Sequence, residues 1–375
     1  MKKWLWPLAA LLAAAALLIT YRFSSPGRNG QQLKLWYVSG EFSPADLELL
    51  ASRYNDQRQG EHYALVPRGF ATEEELAAAF EQSRPDLLLC SYDRAASLGS
   101  REQLATLEGA DWDYLPEIED SLPYAGRSFF PLGSAVPLLV YNQAALESAG
   151  ITAAFSSLED LYAAAEAYRE RTGKPFFTAD AVTPLLAAWC GSLGYALQGD
   201  AERDALNESF CRVYNGLAQC AYDGCFLPPT GDAPGLVEVG ELPCALISSI
   251  QATTLADGCA AVPLPLPEGG AAVYVPEIMG LAVTGANSYA LPSARAFLLW
   301  LRENYSPWDA LSLGLVPAGA AADCEPDLPL SQLLMEIYEN RRPLVYAPLG
   351  SYMEQRQEME DQLGRALDLL YCFVV

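Results

Sequence analysis

The sequence predicts an α/β protein built on parallel, doubly wound sheets and large enough for two lobes. Three observations carry that expectation. The chain has 375 residues, more than one hydrophobic core usually organises. Residues 33–90 read strand, helix, strand, helix, strand, the order that builds a parallel sheet. The third of those strands, Asp86 to Cys90 (DLLLC), is apolar after its first residue, as expected where helices cover both faces of a sheet.

Leu33 to Val38 (LKLWYV) is rich in strand formers. Ser43 caps a helix and Pro44 takes its first turn, with Leu47, Leu50 and Tyr54 on one face. Tyr63 to Val66 is the second strand. Thr72 and Glu75 form a capping box ahead of Leu76, Ala79 and Phe80. Ala135 to Tyr141 is a further strand, turning at Tyr141-Asn142 into a short helix closed by Gly150. Ser156 with Glu159 makes another capping box, and Gly173 ends that helix. Helices follow over Pro184–Leu197, which carries Trp189, and over Ser209–Tyr222. Cys244 to Ser248 (CALIS) is a strand. Pro292–Glu303 is a helix, and helices start from Leu328 and from Tyr352.

Basic residues number 23 against 47 acidic, a net charge of −24. No basic stripe exists to neutralise phosphates, so nucleic acid is excluded as a partner. The acidity fits a soluble surface kept monomeric by self-repulsion. Lys2 and Lys3 precede an uncharged apolar run from Trp4 to Thr20. This pattern directs a chain to a membrane, as a cleaved signal or as an uncleaved anchor over residues 1–22. Arg22 and Phe23 stand where a cleavage site needs small residues, and the first cysteine is Cys90, so a lipid-attachment cysteine is missing. Residues 23–32 (FSSPGRNGQQ) form a polar linker. Nine cysteines imply one or two local bridges with several buried thiols. Zinc is disfavoured, because His62 is the sole histidine.

Five phrases occur in a recognisable order. Within FFPLGSAVPLLVYNQAALESAGI, Pro131, Leu139, Tyr141, Asn142, Leu146, Ala149, Gly150 and Ile151 fit the first, and Glu159 and Leu161 flank its usual Glu-Leu pair. Leu158 replaces the usual Trp. Gly240, Ala245 and Ile247 fit the next, followed by AAVPLPLPEGG and IMGLAVTG. Phe297, Trp300 and Leu301 come next, and LGLVPAG (Leu313 to Gly319) is last. The succession resembles the extracellular solute-binding proteins of ABC importers, the family of maltose- and glycerol-phosphate-binding proteins. The resemblance implies a two-lobed, periplasmic-binding-protein-like clamp of type II, each lobe a mainly parallel sheet flanked by helices. Lobe one would hold 33–133 and 266–314, and lobe two 134–265 and 315–375. Crossovers would fall near Gly133-Ser134, Pro265-Leu266 and Gly314-Leu315, suitable as hinge ends.

The resemblance also implies a monomer at the extracellular face of the cytoplasmic membrane, anchored or secreted. It would pass a small polar solute, sugar-like, to ABC permease subunits, with no cofactor and no catalysis. Two other readings remain open: a membrane-tethered sensor using the same clamp, and an extracytoplasmic carbohydrate-active enzyme using an Asp/Glu pair among the many carboxylates. A hydrolytic triad would hang on His62 alone, and no glycine-rich phosphate loop is visible.

In open α/β sheets ligands sit beyond the carboxyl ends of strands. Those positions hold Trp36 and Glu41, then Tyr92 and Asp93. On the other lobe they hold Trp189, Ser248, Ser249 and Gln251, and Tyr274 and Glu277 precede the returning strand. Aromatic plates with carboxylates and amides suit sugar rings, which present apolar faces and hydroxyl edges. Trp36 and Trp189 read equally as core.

Overall fold

A computed structural model describes residues 32–39, 41–57, 63–108, 127–197, 201–229, 232–285, 287–319, 326–344 and 365–366. The N-terminal segment, nearly all of the linker, His62 and the helix expected from Tyr352 lie outside the described residues. No described helix is long and apolar enough to cross a membrane.

The chain opens with β1 (Gln32–Val38), α1 (Pro44–Gln57), β2 (Ala64–Phe70), α2 (Glu73–Gln82), β3 (Leu87–Ser91) and α3 (Tyr92–Ser100). β4 (Phe129–Ala135) runs through one residue, Val136, into β5 (Pro137–Asn142). Then come α4 (Gln143–Ser148), α5 (Leu158–Thr172), β6 (Phe177–Ala179), α6 (Thr183–Ser192), α7 (Glu208–Tyr222) and α8 (Ala233–Glu238). The remainder is β7 (Cys244–Ser248), β8 (Cys259–Pro263), β9 (Val273–Tyr274), β10 (Glu277–Val283), α9 (Leu291–Asn304), α10 (Pro307–Ser312), β11 (Val316–Pro317), α11 (Pro329–Asn340) and β12 (Arg342–Pro343).

The strands form a six-stranded sheet, ordered β11-β4-β10-β3-β1-β2, a four-stranded sheet, ordered β6-β7-β5-β8, and a β12-β9 pair. The expected α/β architecture is present, with one correction. The sheets are mixed rather than mainly parallel. β1 pairs parallel with β2 and β3, and β6 with β7. β10 lies antiparallel to both β3 and β4, and β5 is antiparallel to β7 and β8. The reason is connectivity. β10 returns from the other sheet instead of through a covering helix, so the parallel-crossover rule does not govern its direction.

Alternation along β1 divides its side chains cleanly. Leu33, Leu35 and Tyr37 enter the core that α1 and α9 cover, while Trp36 and Val38 enter the opposite core with Phe70, Leu88 and Cys90, the period of two expected of a strand. In the first of these cores Tyr54 meets Phe297 at 5.0 Å and Trp300 at 5.3 Å, both edge-on, and Trp300 Nε1 donates to Gln57 Oε1 at 2.6 Å. The second sheet is covered in the same way by a core around Trp189, Phe176 and Phe226 and another around Ala245, Ile247 and Leu334.

Local signals mostly hold. Gly173 ends α5 at φ +70°, a conformation that costs glycine nothing. The capping box of α5 is Ser157 with Asp160, not Ser156 with Glu159. The helix starts one residue later, which frees Glu159 to pair with Arg212 at 2.6 Å. The expected local disulfides are not formed among the described residues: Cys90, Cys190, Cys211, Cys220, Cys225, Cys244 and Cys259 are free thiols.

The chain changes sheet at Val136, again at Val275-Pro276, and a third time after β11. The first and third points lie two or three residues beyond Gly133-Ser134 and Gly314-Leu315, and the second lies ten beyond Pro265-Leu266. Ser249 holds the neighbourhood together. Its Oγ accepts from Val136 N at 3.0 Å and donates to Gly314 O at 2.6 Å, and its own N–H donates to Val136 O at 2.8 Å. Gly314 is required here: its φ is +73°, and a Cβ would lie 2.5 Å from Ser249 O.

Candidate functional site

A cavity of about 270 Å³ opens in the crevice between the two sheets. The first sheet supplies Glu41 from the turn after β1, Ser91, Tyr92 and Asp93 where β3 becomes α3, and Glu277 to Met279 at the start of β10. The second sheet supplies Asp180 from the turn after β6, residues of α6, Leu246 to Ser248 at the end of β7, and then Ile250 and Gln251. Ala135, Val136 and Pro137 of the first crossing and Val275-Pro276 of the second complete the lining. Four of these positions, after β1, β3, β6 and β7, follow carboxyl ends of strands, where open α/β sheets bind ligands.

The β3–α3 turn is built from sequence. Ser91 caps α3, its Oγ accepting from Arg94 N at 3.4 Å, so the next two residues are turned toward the crevice. Tyr92 is nearly buried, edge-on to Phe129 at 5.2 Å. Opposite, Gln251 Oε1 accepts from Ser248 N at 3.1 Å, closing the turn after β7.

The electrostatics are one-signed. Glu41, Asp93, Asp180 and Glu277 line the cavity, and no lysine, arginine or histidine is among the described lining residues. Glu41 keeps solvent contact along the open side. The protein around it and the like charges of Glu277 and Glu73 nevertheless raise its pKa to about 7, against the pull of Arg94. Arg94 itself is paired with Glu73 at 2.6 Å. Asp180 has both carboxylate oxygens buried, with no hydrogen-bond partner at bonding geometry. Burial, reinforced by Asp232, raises its pKa to about 6, although the Gln251 amide lies close enough to lower it. Desolvation disfavours the charged form of any carboxyl group. Among the described residues no group of three or more His, Cys, Asp or Glu could hold a metal ion.

Of the residues expected from sequence, Glu41, Tyr92, Asp93, Ser248, Gln251 and Glu277 line this cavity. Four lie elsewhere. Trp36 packs in the core against Phe70, ring centroids 4.9 Å apart, with the Arg68 guanidinium 5.4 Å from its ring. Trp189 is fully buried on the far side of α6 and donates its Nε1–H to Pro265 O at 2.9 Å. Ser249 is the buried latch of the crossings. Tyr274 is buried in β9, which pairs with β12. Asp180 escaped notice, although the rule that selected Asp93 applies to it. β6 (Phe177–Ala179) is a strand too short to stand out, and Asp180 follows its carboxyl end.

No known protein-family profile matches the chain, and no curated protein does. Solved structures do. The GacH receptor of Streptomyces glaucescens GLA.O, solved unliganded and with acarbose, superposes at TM-score 0.71 with 17% identity over 90% of this chain and 93% of that one. The two-lobed periplasmic-binding-protein fold is therefore shared. The ABC substrate-binding protein Lmo0181 of Listeria monocytogenes, solved with cycloalternan, gives TM-score 0.70 at 14% identity, covering 91% of this chain and 97% of that one. UgpB of Mycobacterium tuberculosis, solved with glycerophosphocholine, gives 0.69 at 15% identity over 92% and 100%. At these identities the likeness establishes the fold.

Proposed function

We propose that the protein captures a small polar solute of sugar-like size outside the cytoplasm, by closure of its two lobes, and hands it to an ABC permease. It acts as a monomer, performs no chemistry, and is held at or released from the outer face of the membrane by its N-terminal segment. The observation that carries this reading is the placement of the cavity. It lies in the crevice between two sheets, and the segments that cross between them form part of its lining, so closing the sheets together would enclose whatever occupies it. The likeness to structures solved with acarbose, cycloalternan and glycerophosphocholine supports the same reading. Glu41, Tyr92, Asp93, Asp180, Ser248, Gln251 and Glu277 are the residues assigned to the solute.

Small-angle scattering tests the clamp. A thermal-shift panel of sugars, polyols, phosphates and amines first finds a ligand, since a ligand at 100 times its Kd adds about 2.7 kcal/mol of stability. At saturation the radius of gyration should fall. An unchanged radius with bound ligand removes the closure mechanism.

A further inference from the structure

We propose that the captured solute carries a protonated amine or other fixed positive charge, seated among Glu41, Asp93, Asp180 and Glu277. This deepens the capture reading and rests on it. Four acidic residues line a cavity of about 270 Å³, and no cationic residue is among its described lining. An anionic solute would meet only repulsion there, and nothing would pair with its charge.

A neutral sugar is served poorly as well. The tryptophans that could stack on a sugar ring, Trp36 and Trp189, are packed away in the cores. Tyr92, the aromatic residue that does line the site, is nearly buried against Phe129. Much of the remaining wall is aliphatic, including Val136, Pro137, Ile247 and Ile278, with Ser91, Thr183, Ser248 and Gln251 as its neutral polar groups. A neutral or apolar body fits that wall while a cationic head meets the carboxylates.

Asp180 supplies the independent observation. Both its oxygens are buried and without a partner at bonding geometry, and the nearby Gln251 amide only partly offsets the raised pKa. A buried carboxylate in that condition destabilises the empty protein. A cation arriving from solvent satisfies it, and the destabilisation is then relieved on binding. The volume lies just below the usual range for drug-sized ligand pockets, which suits an amine of monosaccharide size.

Titration follows from the same arrangement. Asp180 faces Gln251 and Asp232, and Glu41 faces Glu277, Glu73 and Arg94. Protonation of Asp180 and Glu41 at low pH removes the charges that hold the amine, so binding weakens as pH falls through the window of about 7 to about 6. Binding near neutral pH should release protons.

The test uses the full chain and matched probes. Glucosamine is compared with N-acetylglucosamine and glucose, and choline and putrescine with their neutral alcohol counterparts, each at about 10 mM in a thermal-shift assay. At least one amine should raise Tm while its neutral counterpart does not. Its affinity by calorimetry should fall about ten-fold or more between about pH 7.5 and pH 5.5. Asp180→Asn should weaken it by about ten-fold while the empty variant melts at or above the wild-type temperature. Should that variant fold poorly, Glu277→Gln carries the same expectation for affinity. A neutral sugar binding as tightly as its amine overturns the proposal, as does the absence of any amine-dependent shift or an unchanged Kd in a folded variant. Compaction with maltotriose but no response to amines would leave the capture reading standing and end this one. A bound amine without compaction would do the reverse.

Discussion

Removing the Ser249 hydroxyl should unfasten the crossings. Ser249 is fully buried, and its Oγ links Val136 N and Gly314 O at 3.0 and 2.6 Å. In Ser249→Ala the bond between Ser249 N and Val136 O survives, but the other two are lost. Each contributes about 0.5–1.5 kcal/mol net, and each stranded buried partner costs about 1–3 kcal/mol. A destabilisation of roughly 2–4 kcal/mol follows, tempered by local relaxation. Urea unfolding followed by tryptophan fluorescence measures it. With m of about 3 kcal/mol/M or more, since m grows with chain size, the midpoint should drop by up to about 1 M. Ser148→Ala is the control, since its hydroxyl bonds Ala145 O on the exposed surface and should cost less than about 0.5 kcal/mol. A Ser249→Ala cost indistinguishable from that control would refute the latch and mean that Val136 and Gly314 are satisfied without it.

Two further outcomes follow from the site. The folded pKa of Asp180 stands above its ordinary value, so the empty folded state holds more protons than the unfolded one between about pH 4 and about pH 6. Stability contributed there falls as pH rises through that window. Asp180→Asn should flatten the fall and gain up to about 3 kcal/mol at pH 8, read from urea midpoints at pH 5 and pH 8; parallel curves for variant and wild type would contradict it. For binding, Asp93→Ala should weaken the ligand by about one to two decades in calorimetry. Trp36→Phe should leave Kd alone, because Trp36 packs on Phe70 away from the cavity; a large loss with Trp36→Phe would move the site.

Much of the scaffold was legible because it is locally encoded. The alternation of Leu33, Leu35 and Tyr37 against Trp36 and Val38, the Ser43-Pro44 helix start and the Gly173 stop each fix their element by short-range physics. The direction of β10 was not legible, since it depends on which sheet the chain has just left. Trp36 and Ser249 misled for a related reason. Both faces of these sheets are buried, so alternation assigns a residue to a face without telling which positions reach the crevice. Ser248 and Ser249 are neighbours, yet one lines the cavity and the other fastens the crossings. The carboxylates fared better: an acidic residue just past an apolar strand has few packing roles, and that rule found Asp93 and would have found Asp180.

Because β10 sits between β3 and β4, the two halves of the first sheet cannot be joined until residue 283 has been synthesised, and its β11 edge comes later still. Before β10 is made, β3 presents an unpaired edge next to an apolar run, and β4 has no neighbour on the side β10 will occupy. Open edges of that kind invite association with other chains. Pairings of such long sequence separation also form slowly. In a nascent chain of this topology the first sheet stays incomplete until most of the chain has been made. That state is a hazard in a crowded cytoplasm without a chaperone to cover it, and it is also the state in which a polypeptide can be threaded through a narrow membrane pore, to fold on the other side.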